Sequence, residues 1–83
     1  MISEELKLLA SDRAVEKVFA HADFGSRENR NVIKFALLKV ASGYANGYTA
    51  QCIIERLGLC ENDKELTING KEYLWLSFEN GYS

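Results

Sequence analysis

Residues 26–44, SRENRNVIKFALLKVASGY, limit the fold more than any other stretch of this 83-residue chain. Val32, Ile33, Ala36, Leu37, Val40 and Ala41 recur at helical intervals and form a wide inward stripe. Phe35 and Leu38 widen it until only a narrow ridge stays polar. A helix apolar over so much of its circumference must be contacted on several sides, which predicts a central helix with others around it. Ser26 is the expected cap at its start and Gly43 the stop at its end. The chain holds no proline and only six glycines. So few breakers favour helices joined by short turns.

The segment before it, ISEELKLLASDRAVEKVFAHADFG, reads as two helical pieces. Ser3 can cap a first turn holding Glu4 and Glu5, where carboxylates suit the positive end of the helix dipole. Leu6, Leu8 and Leu9 supply its apolar side. Ser11 or Asp12 starts or continues a second piece, striped by Ala14, Val15, Val18, Phe19 and Ala22 and ended by Gly25. After the central helix, GYANGY is a turn. TAQCIIERLGL then predicts a helix with Thr49 as N-cap, with Ala50, Ile53, Ile54 and Leu57 inward, and with Gly58 as stop. Gln51, Glu55 and Arg56 face out, and Cys52 lies at the margin.

LTINGKEYLWLSF, residues 66–78, allows two structures. Asn69-Gly70 between β-prone runs is a strong hairpin signal, because both residues tolerate the positive φ of a type I′ turn. A hairpin would put Tyr73, Trp75 and Ser77 on one face and Leu74, Leu76 and Phe78 on the other. Both faces would need cover, which a two-stranded hairpin can hardly find. In the other structure Thr67 caps a helix and Gly70 to Phe78 continue it.

From Asn31 to Phe78 the chain resembles a winged helix-turn-helix half. Repressors of the MarR and PadR type end a recognition helix in a similar L-G-L, pass through a wing, and enter the next helix by L-T-x-x-G-x-x-L. Leu66, Thr67, Gly70 and Leu74 match that entry. Cys60 to Glu65 departs from it, being too short for a full hairpin arm. LLKVASGYANGYTAQCIIERLGL with LTINGKEYLW also resembles small accessory proteins of enterobacterial phages and prophages, over about the last 50 residues. These resemblances imply the helix at residues 69–78, a winged-helix-like domain, and a phage or prophage setting. A likeness of fold does not by itself assign a function.

The expected fold is therefore mainly α: a small winged-helix-like helical domain with a reduced wing of at most two very short strands. Helices are expected near 3–10, 12–22, 27–42, 49–57 and 69–79. Residues 1–83 form one domain, with 1–25 as an N-terminal helical extension and 26–80 as the core.

Charge is uneven. Residues 1–25 carry three basic and five acidic groups, residues 26–60 five and two, and residues 61–83 two and five. A weakly basic middle between acidic ends is far from the basic footprint of a dedicated nucleic-acid binder. No apolar run is long enough to span a membrane, and MISEELKLL is too acidic for a signal peptide. Two cysteines, Cys52 and Cys60, make a weak disulfide scaffold and lack the paired ligands of a zinc site. The chain is expected in a reduced cytoplasm, with no cofactor, no metal and no membrane partner. His21, the single histidine, lies near Asp23 at a helix end and lacks a nucleophile or oxyanion site to work with. GYANG lacks the lysine and hydroxyl of a phosphate loop. Nothing encodes an enzyme.

Two binding functions follow. With about 100° per residue, Tyr73, Leu74, Trp75, Leu76 and Phe78 point nearly all round the last helix, more than one face can use. Tyr73, Trp75 and Leu76 are the expected protein interface, engaging a host or phage protein or a second copy in a homodimer. The competing expectation is that the N-terminal helices bury both sides. The alternative function is a DNA-binding regulator, in which Gln51 and Arg56 read bases while Arg27, Arg30, Lys34 and Lys39 neutralise phosphates. Glu55 and the acidic ENDKE stretch oppose it.

Overall fold

The computed structural model describes residues 4–20, 22, 24–25, 27–62 and 65–79. Among the described residues five helices and two short strands follow in order: α1 Glu4–Leu9, α2 Asp12–Phe19, α3 Asn29–Ala41, α4 Tyr48–Arg56, β1 Cys60–Glu61, β2 Glu65–Leu66 and α5 Ile68–Glu79. The domain is mainly helical with a small two-stranded sheet, as expected of a reduced wing. The strands run antiparallel, with Cys60 opposite Leu66 and Glu61 opposite Glu65.

The ambiguous stretch is a helix, and Thr67 shows why. Its hydroxyl oxygen accepts the Gly70 N–H at 3.0 Å, capping α5, while the same hydroxyl donates to the Gly58 carbonyl at 2.7 Å. One side chain thus starts α5 and ties it to the turn that ends α4. Gly70 is there for contact rather than for a turn. A Cβ at that position would stand 1.8 Å from the Leu59 carbonyl oxygen, so α5 lies flush on the backbone that follows α4. Among the described residues the positive φ values belong to Gly25, Gly43, Gly58 and Asn62. Gly43 and Gly58 directly follow the C-caps of α3 and α4 as expected, but α2 already ends at Phe19 with Ala20 as C-cap, so Gly25 does not end it.

Caps elsewhere are mixed. Ser11 accepts the Ala14 N–H at 3.1 Å and starts α2. Thr49 does not cap α4. That helix begins one residue earlier, with Gly47 as N-cap and no side-chain cap bond. The turn before it is held instead by Asn46, whose side-chain N–H donates to the Ala36 carbonyl at 3.0 Å. α3 starts at Asn29 with Glu28 as N-cap. Ser3 and Ser26 lie outside the described residues.

α3 is the central helix, packed against α2, α4, α5 and β2. Val32, Ile33, Ala36, Leu37 and Val40 are buried as the stripe predicts. Its circumference is not fully covered, however. Phe35 is 47% exposed, Leu38 is 36% exposed, and Ala41 also faces out. Leu6 and Ala10 from the first helical segment, Val15 and Phe19 from α2, Ile53 and Ile54 from α4, and Tyr73 and Leu76 from α5 join the same core. α1 packs on α5, so Leu6, Val15 and Phe19 of the N-terminal helices share one core with α3, α4 and α5. Among the described residues no helix is long and apolar enough to cross a membrane.

Candidate functional site

Helical geometry divides α5 into two faces. Gly70, Tyr73, Leu76 and Ser77 fall at intervals of three, three and one, and all four are buried. Lys71, Trp75 and Glu79 fall at intervals of four, on one line along the helix, and all three are exposed. Tyr73 and Leu76, expected at an interface, are therefore core residues. The reason is orientation: they share the Gly70 face, which the flush contact with Leu59 turns inward. Trp75 is 66% exposed and Phe78 52% exposed.

The buried face carries a polar anchor. Arg30 donates from one guanidinium nitrogen to the Tyr73 hydroxyl at 3.0 Å. Its other terminal nitrogen reaches the Ala10 carbonyl at 2.9 Å and an Asp12 carboxylate oxygen at 2.7 Å. Three elements and the α1–α2 turn meet on this one cation. Burial pushes the Tyr73 hydroxyl above the ordinary tyrosine range, against the opposing pull of Arg30. Burial alone would lower the Arg30 pKa, but Asp12 and Tyr73 outweigh it and hold the guanidinium above its usual value. Hydrogen bonding to Arg30 in turn holds the Asp12 carboxyl below the carboxylate range.

The exposed face borders a groove of about 500 Å³ between the end of α3, β2 and α5. Val40, Ala41, Leu66, Leu74, Trp75 and Phe78 form its apolar lining, and Glu65 and Lys71 bring both signs of charge to it. The Trp75 indole N–H donates to the Glu79 carboxylate at 2.9 Å, one turn on, which fixes the ring on the helix surface. At the far end the Lys34 ammonium lies 4.1 Å from the centre of the Phe78 ring, a cation–π contact.

The six residues of the DNA alternative are scattered by the same fold. Arg30 and Lys34 are buried, one in the Tyr73 anchor and the other against Phe78, so neither is presented to a phosphate. The DNA alternative needs them outside; position on the α5-facing side of α3 places them inside. Gln51 is half-buried and committed to its own surroundings, donating to Glu55 at 2.8 Å and to the Cys60 sulfur at 3.3 Å and accepting from Asn46 at 3.2 Å. Arg27, Lys39 and Arg56 are exposed. Arg27 and Lys39 border a smaller recess of about 270 Å³ at the start of α4, beside Tyr48 and Thr49.

Cys52 is half-buried, Cys60 is buried, and both are free thiols. Hydrogen bonding to Cys52 raises the pKa of the exposed Tyr48. Among the described residues no three of His, Cys, Asp and Glu gather into a metal-binding group. His21 and Asp23 lie outside the described residues. Lys71, Phe78 and Glu79 were not singled out from the sequence as surface residues. Their signal was the i, i+4, i+8 spacing of Lys71, Trp75 and Glu79, and the aromatic ring one turn beyond Trp75. Comparison with family models, with curated proteins and with solved structures finds no match.

Proposed function

We propose that this chain is a non-catalytic accessory protein of the phage or prophage kind it resembles, acting in the cytoplasm by binding a protein partner or by self-association. The observation that carries this reading is the outward face of α5. Trp75 and Phe78 stand exposed beside an apolar groove, while the core closes through Tyr73 and Leu76 without them. A small domain spends its aromatics on its own core first, so two large rings left at the rim of a groove favour an interface. Tryptophan is among the residues that dominate interface energetics when buried by a partner.

The alternative, a winged-helix-type DNA-binding regulator, retains Arg27, Lys39 and Arg56 at the surface. It loses Arg30, Lys34 and the free reach of Gln51, which removes half of its contact set.

Trp75→Ala tests the first reading against the second. Association with a partner captured from bacterial host lysate, or with a second copy, is expected to fall while the melting temperature stays within the range of ordinary surface substitutions. A salt-dependent DNA-binding assay runs beside it. Duplex binding at low salt that Lys39→Ala weakens, with no Trp75-dependent association, would replace the protein-binding reading with the DNA one.

A further inference from the structure

The exposed line along α5 is Lys71, Trp75, Glu79: a cation, a large aromatic and an anion, one helical turn apart. Its order reverses in an antiparallel copy. Laid head to tail against itself about Trp75, the line sets Lys71 opposite Glu79 at both ends and Trp75 opposite Trp75 in the middle. Laid parallel, it sets like charge against like. Among the described residues the Lys71 ammonium has no ion-pair partner. We propose that the α3–α5 face is a two-fold interface between two copies of this chain, with antiparallel α5 helices pairing Lys71 of each with Glu79 of the other. This rests on the protein-binding reading above and names its partner.

A two-fold interface must be complementary to itself, offering both a projection and a recess within one patch. The α3–α5 face does so. Trp75 projects, and beside it runs the groove of about 500 Å³ floored by Val40, Ala41, Leu66 and Leu74. The two indoles meet at the centre, at the rims of the two grooves. Leu38, one turn from both Lys34 and Ala41 on α3, extends the apolar patch beside Phe78.

The area sets the strength. Trp75 at 66% and Phe78 at 52% exposure offer about 250 Å² of aromatic surface per copy, taking about 150–250 Å² for each side chain. About 500 Å² of aromatic surface across two copies is less than half of a standard specific interface, so the rest of the face must add to it. The dimer is therefore weak and concentration-dependent, and each copy closes its core without it.

Sedimentation of the full chain from about 1 μM to about 1 mM, with emission of its single tryptophan read in parallel, tests the proposal. The expected result is a mass rising from one chain to two, with the emission shifting to the blue over the same range. Lys71→Glu and Glu79→Lys are each expected to weaken the dimer about tenfold at low salt, because each sets like charges opposite. The two changes in one chain are expected to restore it to within about threefold of wild type. These positions are on the surface, so the variants stay folded. A monomer throughout the range overturns the dimer, and a dimer that the single changes leave unaltered, or that the double change fails to restore, overturns the Lys71–Glu79 pairing. A monomer that still captures a host protein through Trp75 overturns the dimer alone. A dimer indifferent to Trp75→Ala overturns this interface, and a monomer with no Trp75-dependent partner overturns both readings.

Discussion

Tyr73 and Trp75 stand two residues apart on α5, and the fold treats them in opposite ways. Tyr73 is completely buried, its hydroxyl held by a buried arginine. Trp75 lies about 200° further round the helix, with its indole N–H satisfied by a carboxylate of the same surface. Each ring has its polar atom hydrogen-bonded, the Tyr73 hydroxyl accepting from Arg30 and the Trp75 indole donating to Glu79, so neither placement leaves that atom without a partner. What separates them is the neighbour one turn away. Tyr73 shares a face with Gly70, which lets the helix come down onto the Leu59 backbone; Trp75 shares a face with Lys71 and Glu79, which keep it in water. Aromatic content alone does not identify a core. Its phase relative to a contact glycine does.

That contrast can be broken from either side. The largest effect is expected from Tyr73→Ala. It empties a fully buried site and leaves the Arg30 guanidinium one partner short, which should cost about 3–5 kcal/mol. Against a total stability of about 4–12 kcal/mol for a chain of this length, urea unfolding should show a large part of the fold's stability gone. Gly70→Ala comes next. The new methyl meets a backbone carbonyl rather than a flexible side chain, so α5 must move, at about 3 kcal/mol or somewhat more. A midpoint unchanged by Gly70→Ala would mean that the flush contact does not position the helix. Trp75→Ala, by contrast, should stay within about 0.5 kcal/mol in the same urea series.

The smallest effect is one of pH. The Asp12 carboxyl is held below its ordinary value of 3.8 by hydrogen bonding to Arg30. A carboxyl with a depressed folded pKa contributes stability that is present above the unfolded value and lost as pH falls through the folded one. The stability difference between wild type and Asp12→Asn should therefore be constant near neutrality and shrink as pH falls below 3.8. Its size is modest because the Asp12 side chain is more than half exposed. A difference that grew with acid would contradict the pairing.

The two faces also mark how far the sequence could be read. Helix positions were legible because periodicity, Ser11, Thr67 and the stop glycines Gly43 and Gly58 are local features. All five expected helices are present among the described residues, with ends moved by no more than three positions. The choice of a helix over a hairpin at Asn69-Gly70 came from the resemblance and from the need to cover both faces of a hairpin. The inward side of α5 was not legible, because residues 73–78 are apolar nearly all round and no moment singles out one direction. Arg30 and Lys34 were misplaced for a related reason. Charge suggests solvent unless a partner is known, and the partners, Tyr73 and Phe78, lie more than 40 residues away. Phe35 and Leu38 erred in the other direction. A stripe reports which residues are apolar, not how many neighbours the fold supplies.

The clasp at the head of α5 bears on what binding would cost. Thr67 is bonded at once to the end of α4 and to the third residue of α5, and Gly70 rests against Leu59 with no room between them. A helix seated this way has no pivot at its first turn. A partner closing over Trp75 meets a surface whose backbone is already in its final place, and the indole is already oriented by Glu79. Little freedom remains to be surrendered on contact, so a larger share of the burial of two aromatic rings is left to appear as affinity.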